Sequence, residues 1–194
     1  MSRMASELTR VRPDWPALPD DLERAFAWLE EHGHGRDAPA GFVLSPSPDA
    51  AWAPAFVSGL SLEGYFEPGT PGYARLLPIA EAAGDGSQVL LWRDPEDGQR
   101  VVVLDSEGSG HLIADDARDL LVLLGVGYDE LTEYSLGEPP ADPVPEEALA
   151  AYRAWLTEAF GVEVPDEWPA VGDDAFTAWL DAELGNAPEP APNP

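Results

Sequence analysis

The chain has no cysteine and no lysine, and none of its apolar runs is long enough to cross a bilayer. Without cysteine, disulfides, thiolate nucleophiles and thiolate metal sites are excluded, which fits a reducing compartment. Without lysine, all 10 basic side chains are arginine, and they face 37 acids for a formal net charge of -27. A field of that sign repels DNA and anionic lipid, so neither nucleic acid nor a membrane is an expected partner. The longest strongly apolar stretch, residues 120–126, is far shorter than a membrane span, and the first eight residues lack a signal-peptide core. The expected location is cytoplasmic.

Chemistry is equally sparse. Ser109, His111 and Asp115 lie close together and raise a hydrolase as a distant alternative. Strand alternation does not supply a Ser–His hydrogen bond, however, and the Gly-x-Ser-x-Gly elbow is missing. His32 and His34 are one residue apart, but the third histidine is remote, so a zinc site would need carboxylates. They read better as histidines favoured by the C-terminal dipole of the preceding helix. Asp94-Pro-Glu-Asp-Gly98 is only superficially like a calcium loop, because the alternating donors and the closing glutamate are absent; a hairpin turn accounts for it. Gly125-Val-Gly127 follows a helix, the wrong context for a phosphate cradle. We therefore expect no enzyme, no cofactor and no metal.

What is present is enough for one good core: 194 residues, 44% of them hydrophobic, with seven tryptophans. Residues 1–17 are expected to be loosely ordered, since Pro13 and Pro16 break any short helix there. A first secure helix starts at Asp20, capped by Asp20 with Glu23, and carries Leu22, Ala25, Phe26 and Leu29 on one side until Gly33. Residues 36–72 are rich in Pro, Gly and Ser and suggest irregular structure with at most one edge strand. Two β-rich runs, 89–92 and 100–104, flank the Asp97-Gly98 turn as an antiparallel hairpin, and 111–113 adds a strand. Residues 120–124 are apolar on all sides, which implies a helix covered by the sheet, started at Asp115 and Asp116 and ended by Gly125.

Four prolines stiffen a linker at 137–145. Beyond it a helix with Leu149, Tyr152, Leu156 and Phe160 in its stripe ends at Gly161, and a last helix runs from about Asp174 to Leu184. These two make a C-terminal helical extension, 146–185, expected to pack on the main domain at 18–136, while 186–194 is expected to be disordered. The fold class is α+β, a mixed or antiparallel sheet flanked by helices. Residues 128–194 hold 16 acids against Arg153 alone, so the last third is the more acidic surface. Such a surface would steer a basic protein toward it, although a proteome-wide acidic bias is the competing cause.

The order of elements over residues 76–131 resembles the SMI1/KNR4 family of the SUKH superfamily, which includes many bacterial polymorphic-toxin immunity proteins. The resemblance lies in Leu77-Pro-Ile-Ala80, Gly84-Asp-Gly86, an apolar strand ending in Trp92, Val101-Val-Val-Leu104 with Asp105, Glu107-Gly108, and the leucine-rich helix closed by Gly-Tyr-Asp-Glu-Leu131. With Leu18-Pro-Asp-Asp-Leu22 it covers about half of the chain. The family's usual Asn-Gly-Gly region is not evident, and the proline-rich segment fits it poorly. The resemblance implies a protein-binding domain without catalytic residues, in which Trp92, Gly108, Gly110 and Leu121 are structural. Immunity members of that family occlude the active site of a cognate toxin, often a nuclease or deaminase. A basic toxin is thus the implied partner, with Trp155 or Trp179 as apolar anchors; a regulatory scaffold without a toxin is the alternative.

Overall fold

The hairpin formed by the two β-rich runs lies within a seven-stranded sheet. The computed structural model describes residues 1–50 and 52–185. Its strands are β1 (Gly35–Ala38), β2 (Gly41–Leu44), β3 (Ala55–Val57), β4 (Leu76–Glu81), β5 (Gln88–Arg93), β6 (Gln99–Leu104) and β7 (Gly110–Ala114). They pair in chain order, and every pair is antiparallel. The central strands are buried on both faces, which is why they read as continuous apolar runs rather than alternating ones. Leu77, Val89, Leu91, Val101 and Val103 face the larger core, while Leu76, Leu90, Trp92, Val102 and Leu104 face a second, smaller one.

Both faces need a cover, and different helices provide it. On the larger side lie α1 (Arg3–Val11), α2 (Asp20–Glu31), α4 (Ala117–Val126) and α5 (Glu146–Phe160), while a single turn, α3 (Pro71–Ala74), leads into β4. The second side is covered by α6 (Ala175–Leu184), whose Phe176 and Leu180 pack on Trp92 and its neighbours. The architecture is α+β, with the sheet antiparallel throughout. Leu120, Leu121 and Leu123 are fully buried, and α4 touches β6 and β7 as well as α2 and α5, so the all-apolar helix is enclosed by helices as much as by the sheet. The Tyr152 hydroxyl donates to the Leu121 carbonyl at 2.9 Å and ties α5 to this helix.

Between α5 and α6 the chain crosses the outer edge of β7 and closes it with side chains instead of a strand. The Leu112 amide donates to Asp174 Oδ2 (2.6 Å), Thr177 Oγ1 donates to the Gly110 carbonyl (2.9 Å), and Trp168 Nε1 donates to the Ile113 carbonyl (2.7 Å). A bulge at the β6–β7 register shift turns the Ile113 carbonyl outward to that indole. An edge satisfied in this way offers no free ladder to another chain. Gly110 permits the crossing, because a Cβ there would stand 2.6 Å from both the Val103 carbonyl oxygen and the Phe176 ring. Gly108 sits in the preceding turn at φ +93, which other residues adopt only with strain.

Several expectations from the sequence are corrected. Residues 1–17 are not loose: Met4, Ala5 and Leu8 of α1 are buried, and Arg12, also buried, donates to the Leu76 and Tyr73 carbonyls. What holds α1 is distant in sequence, since Glu30 on α2 accepts the amides of Arg3 (2.9 Å) and Met4 (2.8 Å). Glu23 likewise serves the Ser2 amide, and α2 begins after Pro19 with no side-chain cap. Residues 36–72 contain three strands rather than one edge strand. Gly125 lies inside α4 against Leu156 and Val164, and Gly127, at φ +96, is the residue that ends it. The 137–145 segment is docked by hydrogen bonds from Gly137 to Trp168 and from Val144 to Gly127, so it is not a free spacer. The tail expectation falls at 186–194, outside the described residues.

The Asp94-Pro-Glu-Asp-Gly98 motif is the β5–β6 turn. The buried Asp94 carboxylate accepts the Gly98 amide (2.8 Å), the Glu96 amide (3.0 Å) and Arg100 Nε (3.0 Å). Burial pushes this carboxyl up, but the Gly98 amide, Arg100 and the Glu96 amide together outweigh it and hold it below its ordinary value of 3.8. A carboxyl lowered in the folded state stabilises the fold above its unfolded value, and that contribution is lost as the pH falls through the folded one. Asp94→Asn, which keeps the shape but not the charge, is expected to cost about 1 to 2 kcal/mol at neutral pH. In urea denaturation the gap to the unmodified protein should be full above about pH 4 and shrink below it. A gap unchanged at the lowest pH would contradict this assignment.

Candidate functional site

An antiparallel meander sends alternate turns to the same end of the sheet, so the β4–β5 and β6–β7 turns are neighbours. Ser106 Oγ joins them by donating to Asp85 Oδ2 at 3.1 Å. The segment after α4 closes over the same end: the Leu131 amide donates to the Ala82 carbonyl, Leu131 and Leu136 are buried, and Thr132 and Ser135 hydrogen-bond to each other. Together the three loops enclose a cleft of about 390 Å³ lined by Asp85, Asp105, Glu107 and Glu133, with His111 and no arginine among the lining residues. Tyr134 also lines it and is 90% exposed, the most exposed large aromatic side chain among the described residues.

The carboxylates of the two turns are fixed from behind by backbone. Asp105 accepts the Glu107 amide (2.9 Å) and the Ser109 amide (2.8 Å), and Asp85 accepts the Ser87 amide (2.9 Å). The neighbouring Ser87 hydroxyl, which forms no hydrogen bond of its own, then the Ser87 amide (2.9 Å) and the Ser106 hydroxyl (3.1 Å) hold the Asp85 carboxyl below its usual range against the opposing effect of burial. Two tyrosines register the negative field. The half-buried Tyr65 is pushed up by burial and by Asp105 and Asp85, and Tyr134 is pushed up by the adjacent Glu133 carboxylate, with burial, Glu107 and Asp105 adding less. The sheet is therefore polarised along its strands. Arg75, Arg93 and Arg100 gather at the opposite end, around Asp94 and Asp97.

Ser109, His111 and Asp115 are not brought together as a hydrolase set. His111 Nε2 lies 3.1 Å from Glu133 Oε2 and its Nδ1 lies 3.2 Å from the Gly172 carbonyl, so both ring nitrogens face oxygen atoms other than the Ser109 hydroxyl. Asp115 pairs with Arg100 at 3.1 Å instead. His32 and His34 turn to Trp28, one stacked on it at 4.2 Å and the other edge-on, and each has Nδ1 against a backbone carbonyl. Among the described residues no three His, Cys, Asp or Glu side chains form a group that could hold a metal ion. No helix among them is long and apolar enough to cross a membrane.

The two tryptophans expected as anchors lie apart, half-buried in separate aromatic clusters. Trp155 stacks on Trp28 (5.2 Å) and meets Phe160 edge-on, beside α2; Trp179 stacks on Phe176 (5.6 Å) and Phe66 (6.0 Å), on the second face of the sheet. Trp92 is 1% exposed in the second core, Leu121 is fully buried, and Gly108 and Gly110 shape the turn and crossing at β7. Sequence reading passed over the cleft residues Asp85, Asp105, Glu107, Glu133 and Tyr134. Gly84-Asp-Gly86 and Glu107-Gly108 did mark the two turns, and two strands separate them, which would have put both at one end. No family model matches the chain, and no curated protein or solved structure matches it either.

The field in the cleft has a direct readout. In a ring-carbon NMR titration the Tyr134 phenol should titrate above its ordinary value of 10.0, and Glu133→Gln should move it back down. Added salt should shrink the shift, since the ring is exposed. An unchanged midpoint in Glu133→Gln would contradict the geometry.

Proposed function

We propose that this chain is a non-catalytic, cytoplasmic protein-binding domain of the immunity type, which neutralises a basic toxin by covering its active site. The observation that carries the reading is the cleft: four carboxylates, two of them (Asp85 and Asp105) fixed on backbone amides, no arginine in the lining, and an almost fully exposed tyrosine beside them. Carboxylates already oriented by the fold lose little freedom on binding, so they favour a cationic partner at small entropic cost. An enzyme that grips phosphates presents such a cationic groove, which is why a nuclease or deaminase suits this surface better than a neutral partner. An exposed tyrosine beside charged groups supplies contact area at low entropic cost, as interface aromatics do. The resemblance of residues 76–131 to the SMI1/KNR4 family supports the same reading. Against a hydrolase stands the pairing of His111 with Glu133 and Gly172, which leaves no base aimed at Ser109.

Co-expression with the product of the adjacent gene tests this reading. Growth should be arrested by that product alone and restored by this chain, and Glu107→Gln with Glu133→Gln should weaken the rescue. Absence of rescue, with a stable complex to a non-toxic protein, would favour the regulatory scaffold instead.

A further inference from the structure

A second concavity lies beside β7, toward the end of the strand away from the acidic cleft. It is an open groove of about 530 Å³ whose floor includes Leu112, Ile113 and Trp168 and whose rim carries Asp115, Asp119 and Glu167. The floor is already built in the free protein. Trp168 is pinned at both ends, its indole N–H donating to the Ile113 carbonyl (2.7 Å) and its backbone amide to the Tyr128 hydroxyl (2.9 Å). No side chain has to be reordered before something apolar is laid on it.

The rim is crowded with like charge. The Asp119 carboxyl is pushed up by burial and then by Asp116 and Asp115. Arg118, its chain neighbour, turns away to Asp21 at 2.9 Å, and Arg100, shared with Asp94, reaches the exposed Asp115 alone among the rim acids. A cation brought to this rim would relieve the crowding. A second copy of this chain would not, because it carries the same net charge of -27.

We propose that this groove docks a segment of the basic partner in which a leucine-sized apolar side chain is flanked by arginine. The apolar side chain lies on Leu112 and Trp168, and the flanking guanidinium groups meet Asp119 and Glu167. This rests on the reading of the chain as a binder of a basic protein and adds which chemistry that partner presents at a second point of contact.

The probe is a blocked pentapeptide, acetyl-Arg-Leu-Arg-Leu-Arg-amide, titrated into the full chain by amide and indole NMR. Its expected effect is a set of shifts centred on Leu112, Ile113, Ala114 and the Trp168 indole. Replacing both leucines with glycine should weaken binding about tenfold or more, the loss expected from removing one buried leucine. Asp119→Asn with Glu167→Gln should weaken the leucine peptide by a similar factor, and an unchanged spectrum elsewhere verifies that the variant is folded. Shifts spread over the acidic surface and equal for both peptides would overturn the groove, as would no binding at all. Either result leaves the cleft reading standing if the co-expressed complex still forms, so the two failures are distinguishable.

Discussion

A sheet that is apolar on both faces and open at its edges must be covered on each face and closed at one edge before it is a stable object. In this chain the last forty described residues do most of that: α5 adds to the layer over the larger core through Leu149, Tyr152 and Leu156, and α6 seals the smaller core over Trp92. The chain between them and the first turn of α6 bond three outer backbone groups of β7 with Trp168, Asp174 and Thr177. Everything else is arranged around that crossing. Gly110 has no side chain because the strap passes over it, and His111 is held between the strap and the loop that carries Glu133.

The same constraint places the proposed binding surface. With the strap on the β7 edge, the charged turns that can meet another molecule lie at the two ends of the strands. At one end Asp94 and Asp97 draw in Arg75, Arg93 and Arg100 and are internally neutralised. At the other, Asp85 and Asp105 of the β4–β5 and β6–β7 turns accept backbone amides, which orients their charge without cancelling it. A net charge of -27 by itself says only that the molecule repels its own kind and attracts cations. Its distribution about the sheet gives that attraction an address.

Much of this was legible in the sequence, and what was not has a common cause. The central hairpin, β7, α5 and α6 carry their own local signals: β-rich runs around an Asp-Gly turn, a proline before Glu146, an aspartate capping Ala175, and glycines at 161 and 185 in the left-handed conformation. The elements that were missed are held by distant partners. α1 is fixed by Glu30 and Glu23 on α2, and β3 has only three residues, which are a strand because β2 and β4 flank them. The cleft follows the same rule. Its turns announced themselves as Gly84-Asp-Gly86 and Glu107-Gly108, but residues 132–134 carry no motif, and only the tertiary path of the chain sets Glu133 and Tyr134 over them. Trp155 and Trp179 were conspicuous in sequence, yet the fold stacks both on other aromatic side chains.

The central claim is that an oriented, uncancelled patch of carboxylates at one end of the sheet draws in a basic protein. The most direct measurement is the association rate constant with that protein, followed by stopped-flow fluorescence as ionic strength is raised. The account predicts a steep fall with salt, and a much shallower one for the Glu107→Gln, Glu133→Gln variant, with little change in the extrapolated rate at high salt. A rate indifferent to salt, or a slope the same in both proteins, would contradict it.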